Sequence, residues 1–442
     1  MDGTDYNKSS PNLRGRKKNQ RAQNPVLENR MDNQKSNLRR LPRNIWVVTV
    51  TSFLTDVSSE MIFNLVPLFL ANVLKAGTAV IGLIDGLAET TASLMKIYAG
   101  ALSDRLGQRK WLTVLGYAIS TVSKPFLYIT NTWGGVLGVR VADRFGKGVR
   151  TAPRDALVAD SIDEKQRGLA FGLHRAGDTA GAFLGILIAA VIVWLTERGA
   201  ADLTRPTFQI LVLASIIPAV LAVLILALGV KETGVRSRSK VPALSLKGMD
   251  KRFRLFMPVL ILFTLGNSSD AFIILLGQNR GLNVLHILFM LMTFNLIYSV
   301  LSGPLGALSD KIGRRRLIVG GWIAYGLVYL GFGLSHTGWQ VWALYGLYGV
   351  YYAAAEGTGK AFIADLVTPE RRGTAYGLYN AAIGLTAFPA SLIAGLLWQG
   401  AFGWTGFGPA APFFFGAGLA LLAGILFWVL IPAERHSGSL IG

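Results

Sequence analysis

Asp56 and Glu60 stand four residues apart in an apolar stretch, and the next such stretch carries Asp85, Glu89 and Lys96 at steps of four and seven. Helical periodicity puts each set on one face. A charge at the centre of a membrane helix costs roughly 2.5–3.5 kcal/mol, and about ten of them facing lipid would cost about 25 kcal/mol or more on the same scale. These groups must therefore pair or line water. Two carboxylates sharing a cavity repel, which suits one of them to load and release a proton. Asp56 and Glu60 are expected in that role. For Glu89 an ion pair with Lys96, holding helices together, stands as an equal alternative.

The segment 137–155 is the most charged of these stretches, with Arg140, Asp143, Arg144, Lys147, Arg150, Arg154 and Asp155. At 100° per residue, Arg140, Arg144, Lys147 and Arg154 fall within an arc of about 80°. One account is a basic cavity wall for an anionic substrate. The other, favoured because acids and bases nearly balance in this half, is a paired network. It would join Asp143 to Lys147 one turn on and set the acids of the first two stretches opposite. Further along, Asp178 can reach His174 or Arg175 one turn back, and Gly177, Gly181 and Gly185 make a small-residue stripe for close helix packing. Beyond residue 250 the charges thin to Asp270, His286, Glu356 and Lys360. Glu356 and Lys360, four apart, are expected to pair, and Asn295 stands where Glu89 stood in the first half. The proton-coupling candidates are thus Asp56, Glu60, Asp85, Glu89, Asp178 and Asp270. The cavity candidates are Arg140, Arg144, Lys147, Lys96, His174, Arg175, Asn295, Glu356 and Lys360. Tyr298, Trp322, Tyr325, Tyr348, Tyr351 and Tyr352 could shape a pocket, although such residues more often pack helices or sit at the membrane interface.

Composition identifies the elements that must hold these groups. Of 442 residues, 52% are hydrophobic and 16% charged, with a mean hydropathy of +0.44, where a soluble domain carries about 25% charge. Twelve stretches are apolar enough over about 20 residues to cross a membrane: 44–72, 78–101, 111–130, 133–157, 168–195, 207–230, 255–278, 283–306, 317–335, 339–362, 374–398 and 411–432. Residues 1–43 hold eleven Lys/Arg and four Asp/Glu with little apolar bulk, which reads as a disordered basic cytoplasmic tail. A first six-helix bundle is expected over 44–230, a cytoplasmic central loop over 231–254, a second bundle over 255–432 and a short tail over 433–442. With the tail in the cytoplasm, inner loops carry nineteen basic residues and outer loops four, so both termini are expected to be cytoplasmic, in a bacterial-type inner membrane. The formal charge of +19 then has a topological origin, holding the inner face at an anionic leaflet, and no nucleic-acid partner is expected. Cysteine is absent and the four histidines are scattered, so no metal or cofactor is expected.

The two halves repeat. Gly100-Ala-Leu-Ser-Asp104-Arg105-Leu-Gly107-Gln-Arg109-Lys110 recurs as Gly306-Ala-Leu-Ser-Asp310-Lys311-Ile-Gly313-Arg314-Arg315-Arg316; Ser58-Ser59-Glu60 echoes in Ser268-Ser269-Asp270, and Ala159-Asp160 in Ala364-Asp365. Duplicated six-helix units are an architecture of secondary transporters. The doubled loop element resembles the signature loop of the major facilitator superfamily, and with twelve spans the resemblance covers residues 44–432. It implies an all-α polytopic fold of two six-helix bundles related by a pseudo-twofold axis, enclosing a cavity that alternates between the two sides. It also implies a cytoplasmic latch formed by Gly100, Asp104, Arg105, Gly107, Arg109 and their counterparts Gly306, Asp310, Lys311, Gly313 and Arg314, broken and remade as the halves rock. Asp104 is expected to meet the N-terminus of a facing helix; simple anchoring of the basic loops at the inner leaflet is the alternative. Arg144, Gly148 and Pro153 resemble the superfamily's span-four motif, whose arginine is associated with the cavity and proton coupling. The glycine stripe of span five resembles its antiporter motif, with Ala182 in place of the characteristic proline.

No P-loop, nucleophile elbow or His-Glu-x-x-His occurs, so the chain is not expected to be an enzyme. The expected function is secondary active transport of a small solute by alternating access, by a monomer in the lipid bilayer, coupled to protons, with the surplus cations of span four leaning toward a solute that bears a carboxylate or phosphate. A drug or siderophore efflux antiporter and a transport-inactive sensor are the rivals.

Overall fold

The computed structural model describes residues 41–197, 199–233, 245–368 and 371–431, except for the side chains of 165, 306, 307, 309–311, 356, 357, 360 and 361. The expected terminal tails, up to residue 40 and from 432 on, and the 234–244 part of the central loop lie outside these residues.

Helices form wherever the apolar stretches were expected, with no strand among the described residues. Span one runs Arg43–Ile62 and continues through Val66–Leu68 into a π turn, Phe69–Val73. Spans two to six are Thr78–Leu106, Arg109–Ser123 with the added turn Phe126–Ile129, Trp133–Asp160, Arg167–Glu197 and Arg205–Gly229. Span seven is split into Lys251–Gly266 and Ala271–Asn279. Spans eight to twelve are Val284–Ile312, Arg314–Leu334, Gly338–Leu366, Arg372–Gln399 and Ala411–Leu430. Among the described residues, nine helical stretches are apolar enough to cross a membrane by length and composition. Spans two, four and ten are the others. The first two carry the charges noted above, and span ten is diluted by Gly, Tyr and Trp, so these three need protein or water around them.

Packing repeats between the halves. Span one lies on six as seven lies on twelve; two lies on four as eight lies on ten; three lies on four as nine lies on ten. Across the halves, two meets eleven and five meets eight, the pair that a twofold exchange requires. The breaks are local in origin. Pro67 and Pro125 lack the N–H that would continue the preceding helix, and span seven opens at Asn267, whose φ −97°, ψ 80° leaves the helical region.

Close approach fixes the interfaces. A Cβ on Gly181 would lie 2.4 Å from the Phe53 carbonyl oxygen, and one on Gly185 2.5 Å from that of Val57, so the stripe on span five seats the backbone of span one against it. Gly181→Val is expected to lower the stability of the detergent-solubilised protein by about 1–3 kcal/mol, read as loss of folded protein on heating. Gly172→Ala, where a Cβ meets nothing within 4 Å, should leave it unchanged or slightly raised; equal behaviour of the two would contradict the packing.

Candidate functional site

Spans two and four run in the same direction, so groups at equal distance from their starts lie at equal depth. Asp85 and Glu89 follow the start of span two by 7 and 11 residues, as Arg140 and Arg144 follow the start of span four. The pairing obeys that registry. Arg140 Nη2 donates to Asp85 Oδ1 at 2.8 Å, and Arg144 Nε lies 3.1 Å from Glu89 Oε1. The approach is enforced by Gly148, where a Cβ would lie 2.6 Å from the Ala92 carbonyl oxygen. The first pair is buried, with side chains 6% and 9% exposed, whereas Glu89 is 48% exposed toward the cavity. Glu89 therefore takes Arg144, not Lys96, as its partner.

These groups line a cavity of about 420 Å³ between the halves. Span one contributes Asp56, Ser59, Glu60, Phe63 and Asn64; span four contributes Arg140, Asp143, Arg144, Lys147 and Arg150; span seven contributes Asn267 to Asp270. Phe63 lies beneath three cations, with its ring centre 4.7 Å from the Arg140 guanidinium carbon, 5.9 Å from that of Arg144 and 5.7 Å from Lys124 Nζ, a placement the ring quadrupole favours. Ser269 Oγ donates to Asp85 Oδ2 at 2.9 Å, so one carboxylate ties both halves together. Asp270 accepts from the Tyr348 hydroxyl at 3.2 Å, and Glu60 accepts from Asn64 Nδ2 at 2.7 Å. Asp56, Glu60 and Asp270 make no ion pair among the described residues.

Other expected groups lie elsewhere. Asp178 pairs with His174 Nδ1 at 3.2 Å, one of the two partners open to it. Arg175 reaches Tyr298 of span eight, and Asn295 Nδ2 donates to the Leu291 carbonyl of its own helix at 3.0 Å. Lys96, His174, Arg175, Asp178 and Asn295 do not line the cavity. The expected Asp143–Lys147 pair does not form among the described residues, and Arg154 turns to Asp155 at 2.9 Å and to Ser52. The side chains of Glu356 and Lys360 lie outside the described residues. Lys124 went unnoticed in the sequence. It is 1% exposed and donates to the Ser58 and Ser59 hydroxyls. It stands at the end of the helix Arg109–Ser123, just before Pro125 and the turn Phe126–Ile129.

The repeated loops act within each half. Arg109 pairs with Asp104 and, at 3.3 Å, with Asp160 at the end of span four. Arg314 pairs with Asp365 at the end of span ten, both couples being 51 residues apart. The structural counterpart of Arg109 is thus Arg314, one residue before the motif counterpart Arg315. Gly107 and Gly313, at φ +64° and +89°, turn the chain between the spans. The carboxylate at the N-terminus of span three is Glu232, whose Oε1 accepts from the Arg109 N–H at 2.8 Å; Asp104 does not take that place. Gly306, Asp310 and Lys311 have side chains outside the described residues.

The seal between halves lies at the face opposite these loops. The Thr78 N–H donates to Gln399 Oε1 at 3.0 Å and its hydroxyl to the Gly395 carbonyl at 2.8 Å, while Gln278 Nε2 donates to Asp202 Oδ1 at 3.0 Å. A Cβ on Gly82 would lie 2.1 Å from the Ser391 carbonyl oxygen, so spans two and eleven touch backbone to backbone.

Two repeated six-helix bundles around a central, charge-lined cavity define a membrane transporter of the two-bundle class. The chain belongs to the Major Facilitator Superfamily, whose profile matches residues 48–297 and 256–441, and so to a family of transporters, not of enzymes. An uncharacterized MFS-type transporter of Methanocaldococcus jannaschii is 35% identical over 408 residues, 91% of this chain and 98% of that protein. The multidrug resistance protein MdtG of Enterobacter lignolyticus is 23% identical over 68% of this chain and 72% of its own length. The crystal structure of the nucleoside transporter NupG superposes with a TM-score of 0.72 at 14% identity, over 88% of this chain and 100% of that one.

Proposed function

We propose that this protein is a secondary active transporter that moves a small solute by alternating access and couples it to protons. The observation that carries the coupling is the separation of the cavity acids into two sets. Asp85 and Glu89 are held by arginines, whereas Asp56, Glu60, Asp143 and Asp270 line the same cavity without a basic partner within 4.0 Å among the described residues. Carboxylates in that position can exchange protons with a solvated cavity. The buried Asp85–Ser269 bond and the Thr78–Gln399 seal form the contacts that must break for the opposite face to open. Export in exchange for protons is the second reading, favoured by the likeness to a multidrug resistance protein.

Proteoliposomes with an internal fluorescent pH reporter test it. Addition of a transported solute from a panel of organic anions, organic cations, nucleosides and sugars is expected to change internal pH only where the protein is present. Solute entry with no proton movement would remove the coupling, and absence of flux for every class would remove transport.

A further inference from the structure

The charges around the cavity do not favour an anion. Among the described residues its lining counts six carboxylates against four basic groups, a formal −2. Arg140 and Arg144 are already bonded to Asp85 and Glu89. Arg150 turns away, giving Nη1 to Ser120 at 2.7 Å and stacking over Tyr117 at 4.5 Å. The span-four arginines are thus engaged with the protein, and among the described residues Lys147 is the one lining cation without a described bond. Across the cavity, Asp270 is the charged lining residue that the second half contributes.

Beside Asp270 opens an annex of about 270 Å³ in the second half. Thr264, Asn267, Tyr352 and Ile383 line both spaces, so the two adjoin across these four residues. Its walls include Phe263 and Trp322, stacked at 4.4 Å and 8°, with Tyr351, Tyr352 and Tyr379, and no charged residue among the described ones. A cavity of about 150 Å³ holds one benzene ring, so this one accepts a fused or biaryl body. Aromatic faces also attract a cation placed over them. We propose that the substrate is an organic cation with a flat apolar body, its ammonium group held between Asp270 and the acids of span one and its ring system in the Trp322–Tyr352 annex. This rests on the transporter reading above and supplies its substrate class.

Two probes with one ring system and opposite charge test it: 2-naphthyltrimethylammonium and 2-naphthoate, titrated calorimetrically into the purified full-length protein. The cation is expected to bind at least tenfold more tightly than the anion. Trp322→Ala and Asp270→Asn should each weaken the cation about tenfold, and Trp322→Phe should retain most of the affinity. If Trp322→Ala does not fold, Trp322→Leu, with matched apolar bulk and no π face, gives the same readout. Naphthoate binding as tightly as the cation, no cation binding at millimolar concentration, or cation binding untouched by both substitutions overturns the assignment. The measurement uses no gradient. Cation binding without proton movement in vesicles would sink the coupling alone, and proton-coupled uptake of an anion would sink this assignment alone.

Discussion

Asp56→Asn is expected to abolish uphill accumulation of solute driven by a pH gradient while leaving downhill exchange within a few-fold of the unmodified protein. Asparagine keeps the shape of the side chain and its capacity for hydrogen bonds, and loses the titration. Asp56 faces the cavity beside Glu60 one turn on, with no ion pair among the described residues to hold it charged. A gradient of one pH unit supports about tenfold accumulation per proton coupled, since about 1.4 kcal/mol is a factor of ten. In proteoliposomes that ratio should fall to one for Asp56→Asn, with counterflow preserved. Glu60→Gln should act in the same direction and less completely, because one Glu60 oxygen is occupied by the Asn64 amide at 2.7 Å. Accumulation unchanged in both variants would take span one out of the coupling path.

The fold was legible because its signals are redundant. Twelve apolar stretches and a loop element repeated in register each specify the two-bundle architecture, and an error in one span end leaves it intact. The site was legible only as far as one helix can carry the argument. Asp85 with Glu89, and Arg140 with Arg144, are visible as four-residue doublets. That they pair with each other, in preference to Lys96 or Lys147, depends on spans two and four being parallel and level, which Gly148 allows by admitting the Ala92 backbone. Lys124 was invisible because burial beside a proline break depends on packing, not on pattern. The surplus of span-four cations pointed toward an anion, yet Arg140 and Arg144 are matched by acids of span two, Arg154 by its neighbour Asp155, and Arg150 is given to Ser120. The register of the second loop was likewise hidden. The motif aligns Arg109 with Arg315, but span nine begins at Arg314, and the first helical arginine is the one that reaches the aspartate at the end of the neighbouring span.

The buried pair should show the largest effect on stability. Asp85→Asn leaves the Arg140 guanidinium in the protein interior without its counter-charge, and its Nε and Nη1 already lack hydrogen-bond partners. Removing one partner of a buried pair destabilises by about 3–5 kcal/mol, so this variant should be recovered poorly and unfold at markedly lower temperature. Arg140→Met should behave alike, leaving Asp85 with Ser269 alone. The double variant Asp85→Leu/Arg140→Met removes both charges together, and replacement of buried pairs by apolar groups is often neutral or stabilising. It is expected to unfold within about 1 kcal/mol of the unmodified protein, giving a coupling energy that the double-mutant cycle isolates. Transport by the double variant should nonetheless be impaired, because Asp85 also carries the Ser269 bond between halves. The Glu89–Arg144 pair provides the contrast: with Glu89 half open to the cavity, water screens the interaction, and Glu89→Gln should change stability by no more than about 1 kcal/mol. Equal losses from Asp85→Asn and Glu89→Gln would show that burial does not set the difference between the two pairs.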